Sequence, residues 1–283
     1  MKKTLIALTV AASAAVSGSA MAANWTSGDF NASIEFGGEI SQSVKGGWEW
    51  QIPEASSSSA SKLNVKADTG VVSGDNSVWS GIGDEAFYIL AGKTLEGTTS
   101  QAGMAPVINF SGEDFNITTS QGVNTITIAA KGKTETDKKG TFQFQVNNYM
   151  VAGLDLPSGE NADSSLLDSA QKVLRPISAS FGSAWGNGMP VNAGTYKTLL
   201  GADVLARIQN YITDGLPDFS GFVSSKGTKP EVLNATHSNG FKKVPFVGSY
   251  VSEFVKNSGT LSFPSDAIPQ DWVANMTATV SYQ

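Results

Sequence analysis

Short runs in which apolar and polar residues alternate recur along nearly the whole chain, separated by turn-forming residues. A period of two is the signature of a half-buried β-strand, because successive side chains point to opposite faces. The pattern is seen in WEWQI (48–52), KLNVKA (62–67), EAFYILAGKT (85–94), PVINFS (106–111) and DFNIT (114–118). It continues in NTITIAAKGK (124–133) and TFQFQVNNYMVAGL (141–154), with the charged KGKTETDKKG between them as a hairpin loop. FKKVPFVGSYVSEFV (241–255), GTLSFP (259–264) and the terminal MTATVSYQ complete the set. Many short strands of this kind predict an antiparallel sandwich or barrel.

One alternating run lacks a nearby partner. In GDFNASIEFGG, Phe30, Ala32, Ile34 and Phe36 fall on one side and Asn31, Ser33 and Glu35 on the other, and Gly37 and Gly38 follow. No turn-and-return segment sits close by. Upstream, Lys2 and Lys3, the apolar run from Leu5 to Val16 and the small-x-small Ala20-Met21-Ala22 predict a signal peptide over 1–22. The chain is thus expected to be exported, in a bacterial style, to the periplasm. It contains no cysteine, so packing or a partner must supply what disulfides would.

The middle of the chain breaks the rhythm. ADSSLLDSAQKVLR (162–175) places Leu166, Leu167, Ala170, Val173 and Leu174 at helical spacing, with Asp163 as N-cap and Pro176 as terminator. TYKTLLGADVLARIQNYIT (195–213) sets Leu199, Leu200, Val204, Leu205, Ile208, Tyr211 and Ile212 on one broad face. The expectation is an inserted subdomain of two helices at about 153–222, with Phe181 and Trp185 in a Gly-rich loop between them.

Chemistry-bearing constellations are sparse. His237 is the only histidine, which with no cysteine predicts no transition-metal site. Asp84-Glu85 and Glu113-Asp114 are adjacent carboxylates that point to opposite faces of a strand, whereas glycosidases need two facing across a sugar. No enzyme and no cofactor are expected. The net charge of −6 argues against nucleic acid.

Several stretches together carry a resemblance. They are MKKTLIAL at the start, W-x-x-GDFN-x-S-x-x-x-GG-x-I after the expected cleavage site, and WEW at Trp48 to Trp50. L-R-x-I at Leu174 to Ile177, L-x-x-I-Q at Leu205 to Gln209, and Trp272 before an alternating strand with Tyr282 complete them. In these the chain resembles the FaeG-like family of fimbrial major subunits and adhesins, from chaperone/usher fimbriae of enterotoxigenic Escherichia coli.

The resemblance implies a mainly β fold: an incomplete immunoglobulin-like β-sandwich completed by a donor strand, with an inserted subdomain containing two helices. It implies that 23–38 is the donor strand and linker and 39–283 the pilin domain, with Phe30, Ala32, Ile34 and Phe36 entering a neighbour's groove. It implies Ala278, Val280 and Tyr282 on a C-terminal strand that pairs with a periplasmic chaperone. The implied partners are identical subunits in a linear fibre, that chaperone, an outer-membrane usher and host glycoconjugates; the destination is a cell-surface fimbrium. Arg175 matches the arginine of the family's sugar-contacting L-R-x-I, and Lys172 and Trp185 are the further candidates. Ala170 and Lys172 depart from a phenylalanine and an Asp or Asn of the family. Arg175 is equally readable as a cation at a helix C-terminus. A non-adhesive fibre subunit, an outer-membrane β-barrel and a secreted carbohydrate-active enzyme are the alternatives.

Overall fold

The computed structural model describes residues 26–27, 29–35, 40–43, 47–53, 62–95, 106–120, 123–155, 172–176, 200–224 and 246–282. The described chain is mainly β. Its strands are β1 (Thr26–Ser27), β2 (Asp29–Glu35), β3 (Ile40–Ser43), β4 (Trp48–Gln51), β5 (Val71–Ser73) and β6 (Asn76–Ile82). Next come β7 (Phe87–Thr94), β8 (Pro106–Ser111), β9 (Asn116–Ser120), β10 (Val123–Gly132) and β11 (Lys139–Asp155). After β12 (Lys172–Pro176), a helix α1 (Gly201–Gln209) precedes β13 (Val223–Ser224), β14 (Phe246–Phe254), β15 (Gly259–Pro264) and β16 (Trp272–Tyr282).

The long strand β11 organises the network. Its first half pairs with β10 on one edge and β15 on the other; its second half pairs with β14 and β12. Along the first half, Phe142, Phe144 and Val146 are buried while Gln143 and Gln145 face solvent, as the alternation predicts. From Asn148 to Leu154 every residue is buried. Both faces are covered there: Met150, Ala152 and Leu154 join the main core, and Tyr149 and Val151 meet Val204, Ile208 and Ile212 of α1 and its following turn. A strand buried on both faces has no polar side to display, which is why the alternation gives way to NYMVAGL.

The main core is rich in rings. Trp48 and Trp50 stack at 5.5 Å, and Phe87, Phe254, Phe144 and Phe142 form a stacked series ending on Trp272. Beneath Trp50 lies a buried polar cluster in which the Tyr250 hydroxyl donates to Asn148 Oδ1 at 2.9 Å and contacts Ser252 Oγ at 2.8 Å. Burial pushes the Tyr250 hydroxyl pKa well above the usual phenol range, so it remains a neutral donor.

Three expectations are corrected. Residues 172–175, expected as the last turn of a helix, form β12, whose backbone groups are taken by the exposed edge of β11 through Ala152↔Arg175 and its neighbours. The rest of that helix, Asp163 included, lies outside the described residues, so of the two expected helices only α1 stands among them. KLNVKA is not a strand: Leu63 is buried, while the Lys66 carbonyl accepts the Trp79 indole N–H at 2.9 Å and a short 3-10 turn, Ala67–Thr69, follows. The β5–β6 hairpin, turning at Gly74 with φ +61°, was not anticipated.

Gly92 sits in register between Trp50 and Tyr250, whose rings meet edge to face at 5.8 Å across it. A Cβ there would stand 2.4 Å from Trp50 Cζ3. Gly92→Ala is therefore expected to destabilise the fold by about 1–3 kcal/mol, the range for overpacking. An unchanged urea midpoint would contradict this packing.

Candidate functional site

Strand β16 brings the two ends of the chain together. Its Ala274, Met276, Ala278 and Val280 are buried, while Asn275, Thr277 and Thr279 are half-buried. The alternation therefore points the apolar set, Ala278 and Val280 included, to the core. On one edge β8 pairs Phe110 with Ala278 and Ile108 with Val280, both buried partners. On the other, β2 pairs Ile34 with Met276, Ala32 with Ala278 and Phe30 with Val280. Directly opposed residues of an antiparallel ladder are the pairs whose packing stabilises it. The apolar residues Phe30, Ala32 and Ile34 of β2 are thus in register with Val280, Ala278 and Met276 of β16; β3 pairs with the far edge of β2, so, contrary to expectation, this strand has a partner close by in sequence.

The penultimate residue closes this seam. Tyr282 is half-buried against the main core, and its hydroxyl accepts the Trp50 indole N–H at 2.7 Å. Sequence reasoning placed both residues but missed the bond. Two tryptophans on one face of a short strand and a tyrosine at the end of another were the available signal, since buried indole N–H groups need acceptors.

Helix α1 and the turn after it build a second surface on the outer side of β11 and β14. The α1 N-terminus is satisfied by Asp203, whose Oδ2 accepts the Leu200 N–H at 3.0 Å, and by Ser224 Oγ, which accepts from Ala202 N at 2.8 Å. Arg207 Nη1 donates to the Tyr149 hydroxyl at 3.1 Å, and the Tyr211 hydroxyl donates to Glu253. Burial, reinforced by Glu253, raises the Tyr211 pKa far above its ordinary value. Lys93 straps the segment after α1 to the sheet by donating to the Gly215 carbonyl, 3.6 Å from Glu49.

Lys172 opens β12 and is exposed, with its ammonium 5.6 Å from the centroid of the Phe222 ring. That ring packs over Gly153, where a Cβ would lie 2.9 Å from it. Asp218 is held below the usual carboxylate range by the N–H and hydroxyl of Ser220, with the charge of Lys172 adding to the effect. Phe222 and Asp218 escaped the sequence reading, because only the fold brings them beside Lys172.

The remaining candidates are placed as follows. Arg175 lies opposite Ala152 in a strand, so the reading as a helix C-terminal cation is overturned. Phe36, Trp185, Phe181, Ala170 and His237 lie outside the described residues. Among the described residues there is no group of three or more acidic, histidine or cysteine residues able to hold a metal ion. No described helix is long and apolar enough to cross a membrane.

Comparison with known proteins supplies a third line. A family model described as "Fimbrial, major and minor subunit" matches residues 1–283. An F41 fimbrial protein of Escherichia coli is 60% identical over 65 residues, which are 23% of this chain and 22% of that protein. K88 fimbrial proteins AC and AB of Escherichia coli are 40% identical over 93 residues, 31% of this chain and 32% of theirs. The matched stretches thus span about a third of these relatives or less.

The seam yields a stability test. Tyr282→Phe keeps the ring but leaves the Trp50 N–H without its acceptor, an expected loss of about 1–2 kcal/mol. Equilibrium unfolding followed by tryptophan fluorescence measures it, and a loss near zero would show that the bond adds nothing.

Proposed function

The chain belongs to the family of fimbrial major and minor subunits, and from that premise we propose that it is a structural subunit polymerising by donor-strand exchange into a surface fibre. The fold behind this reading is an immunoglobulin-like sandwich that lacks its last strand. The observation that carries it is the register of β2 on β16, with Ile34, Ala32 and Phe30 opposite Met276, Ala278 and Val280. A ladder of backbone hydrogen bonds with apolar side chains at alternate positions is indifferent to which chain supplies the strand. When a neighbour supplies it, the contact is head-to-tail and does not close, so it propagates as a fibre. Burying Phe30, Ile34 and Phe36 contributes about 1.5–3 kcal/mol each.

A β16 edge without its partner would be a template for aggregation. A periplasmic chaperone pairing with Ala278, Val280 and Tyr282 covers that edge until an outer-membrane usher hands it to the next subunit. The chain would cross the periplasm on the way to the fimbrium.

The subunit also acts as an adhesin through its insert, about 153–222, recognising host glycoconjugates. Support comes from the exposed Lys172 beside the Phe222 ring and from Asp218, because sugars offer an apolar C–H face and hydroxyls that seek charged partners. Arg175 and Trp185 complete the proposed contact set.

Two experiments test these roles. Ile34→Asp places an unpaired carboxylate in an apolar seam, at a cost of several kcal/mol. It is expected to abolish fibres in electron micrographs while leaving chaperone-bound subunit in the periplasm; fibres of normal length and number would contradict the exchange. Arg175→Ala and Trp185→Ala should each weaken adhesion to host cells by about 1–3 kcal/mol at unchanged fibre number. Adhesion equal to wild type from both would leave a non-adhesive fibre subunit.

A further inference from the structure

The strands between Thr26 and Ser43 stand at both ends of the main strand path. That path runs β1-β4-β7-β14-β11-β10-β16-β2-β3, so β1 is its first member and β2 and β3 are its last two. Among the described strands β1 pairs only with β4, Thr26 opposite Trp50 and Ser27 opposite Glu49. At the other end β3 pairs only with β2, Ile40 opposite Ala32 and Ser43 opposite Asp29. β2 is therefore the one ladder that ties β3 to the body, through β16.

These pairings decide what moves when a neighbour supplies β2. β1 precedes β2 in the chain and must travel with it, leaving its own β4. β3 follows β2 after only residues 36–39. A ladder between strands so close in sequence closes at little entropic cost and needs no second chain. Moving β2 without β3 would break that local ladder as well as the two to β4 and β16, and a β3 left behind would be held only by another copy's β2. Moving them together breaks only the ladders to β4 and β16. We infer that β1, β2 and β3 are exchanged as one unit, β1 taking the β4 edge of the receiving copy and β2 its β16 edge, with β3 arriving already paired. This rests on the strand exchange proposed above and enlarges it, because the receiving surface then has two edges. The crossing between copies falls on residues 44–47, which end in Gly46 and Gly47.

Disulfide mapping in assembled fibres tests this with three double variants of the cysteine-free chain. Ala32→Cys with Ala278→Cys reports on β2–β16, Ser27→Cys with Glu49→Cys on β1–β4, and Asn31→Cys with Ser41→Cys on β2–β3. Each pair is directly opposed, within the separation a disulfide spans. After oxidation and denaturation without reductant, the first two should run as covalent multimers. The third should run as monomer with no free thiol left. Multimers or free thiols from the third, beside multimers from the first, would show that β3 does not travel on β2 and would overturn the inference. Monomer from the second beside multimers from the first would show that β1 keeps its own β4, and would overturn it equally. Monomer from the first variant would instead remove the exchange itself, and the joint exchange with it, so the two failures read differently.

Discussion

Everything distinctive in this fold depends on the apolar row that Ala274, Met276, Ala278 and Val280 present to the core. β16 is the final strand in sequence and yet an interior one in space, with β8 on one edge and β2 on the other. Two of its four core residues are alanines. Beside Ala278 stands the large Phe110 of β8, while β2 contributes the small Ala32 at the same level. Tyr282 then fixes the end of the row by accepting from Trp50.

The proposed exchange asks the N-terminal strand to be both essential and replaceable. It is essential because an unpaired β16 edge would leave a line of backbone donors and acceptors without partners. It would be replaceable because its hold on β16 is ladder and apolar register, while β3 stays paired with its other edge. By contrast, β11 is bound on both edges and buried on both faces, and belongs to the permanent body. On the proposed exchange, the chain divides into a fixed scaffold and one strand that a neighbour can supply.

Much of this was legible in the sequence, and the failures have physical causes. Phe142, Phe144 and Val146 declare their strand because one face is wet, and the same holds for Met276, Ala278 and Val280. Val204, Leu205 and Ile208 declare a helix, which forms over Gly201–Gln209 with Val204 and Ile208 buried. Leu174 and Val173 fit the tail of a helical pattern just as well, but the vacant edge of β11 claims them as a strand. Lys62 to Ala67 alternates without pairing because Trp79 takes the Lys66 carbonyl instead. Period alone does not reveal which edges and acceptors the rest of the fold leaves open. The sugar-site candidates were the least legible: Lys172 was chosen by motif, while its neighbours Phe222 and Asp218 come from 46 or more residues downstream.

Cross-linking across the seam tests the central claim, that the β2–β16 ladder is made between subunits in the assembled state. Ala32 and Ala278 face each other directly, and opposed residues of an antiparallel pair lie within the Cα separation a disulfide spans. The native chain has no cysteine to interfere. Fibres carrying Ala32→Cys and Ala278→Cys, oxidised and run in denaturant without reductant, should give a ladder of covalent multimers that collapses to monomer on reduction. Cross-linked material found only as monomer would show that each strand stays on its own β16, and would contradict the account.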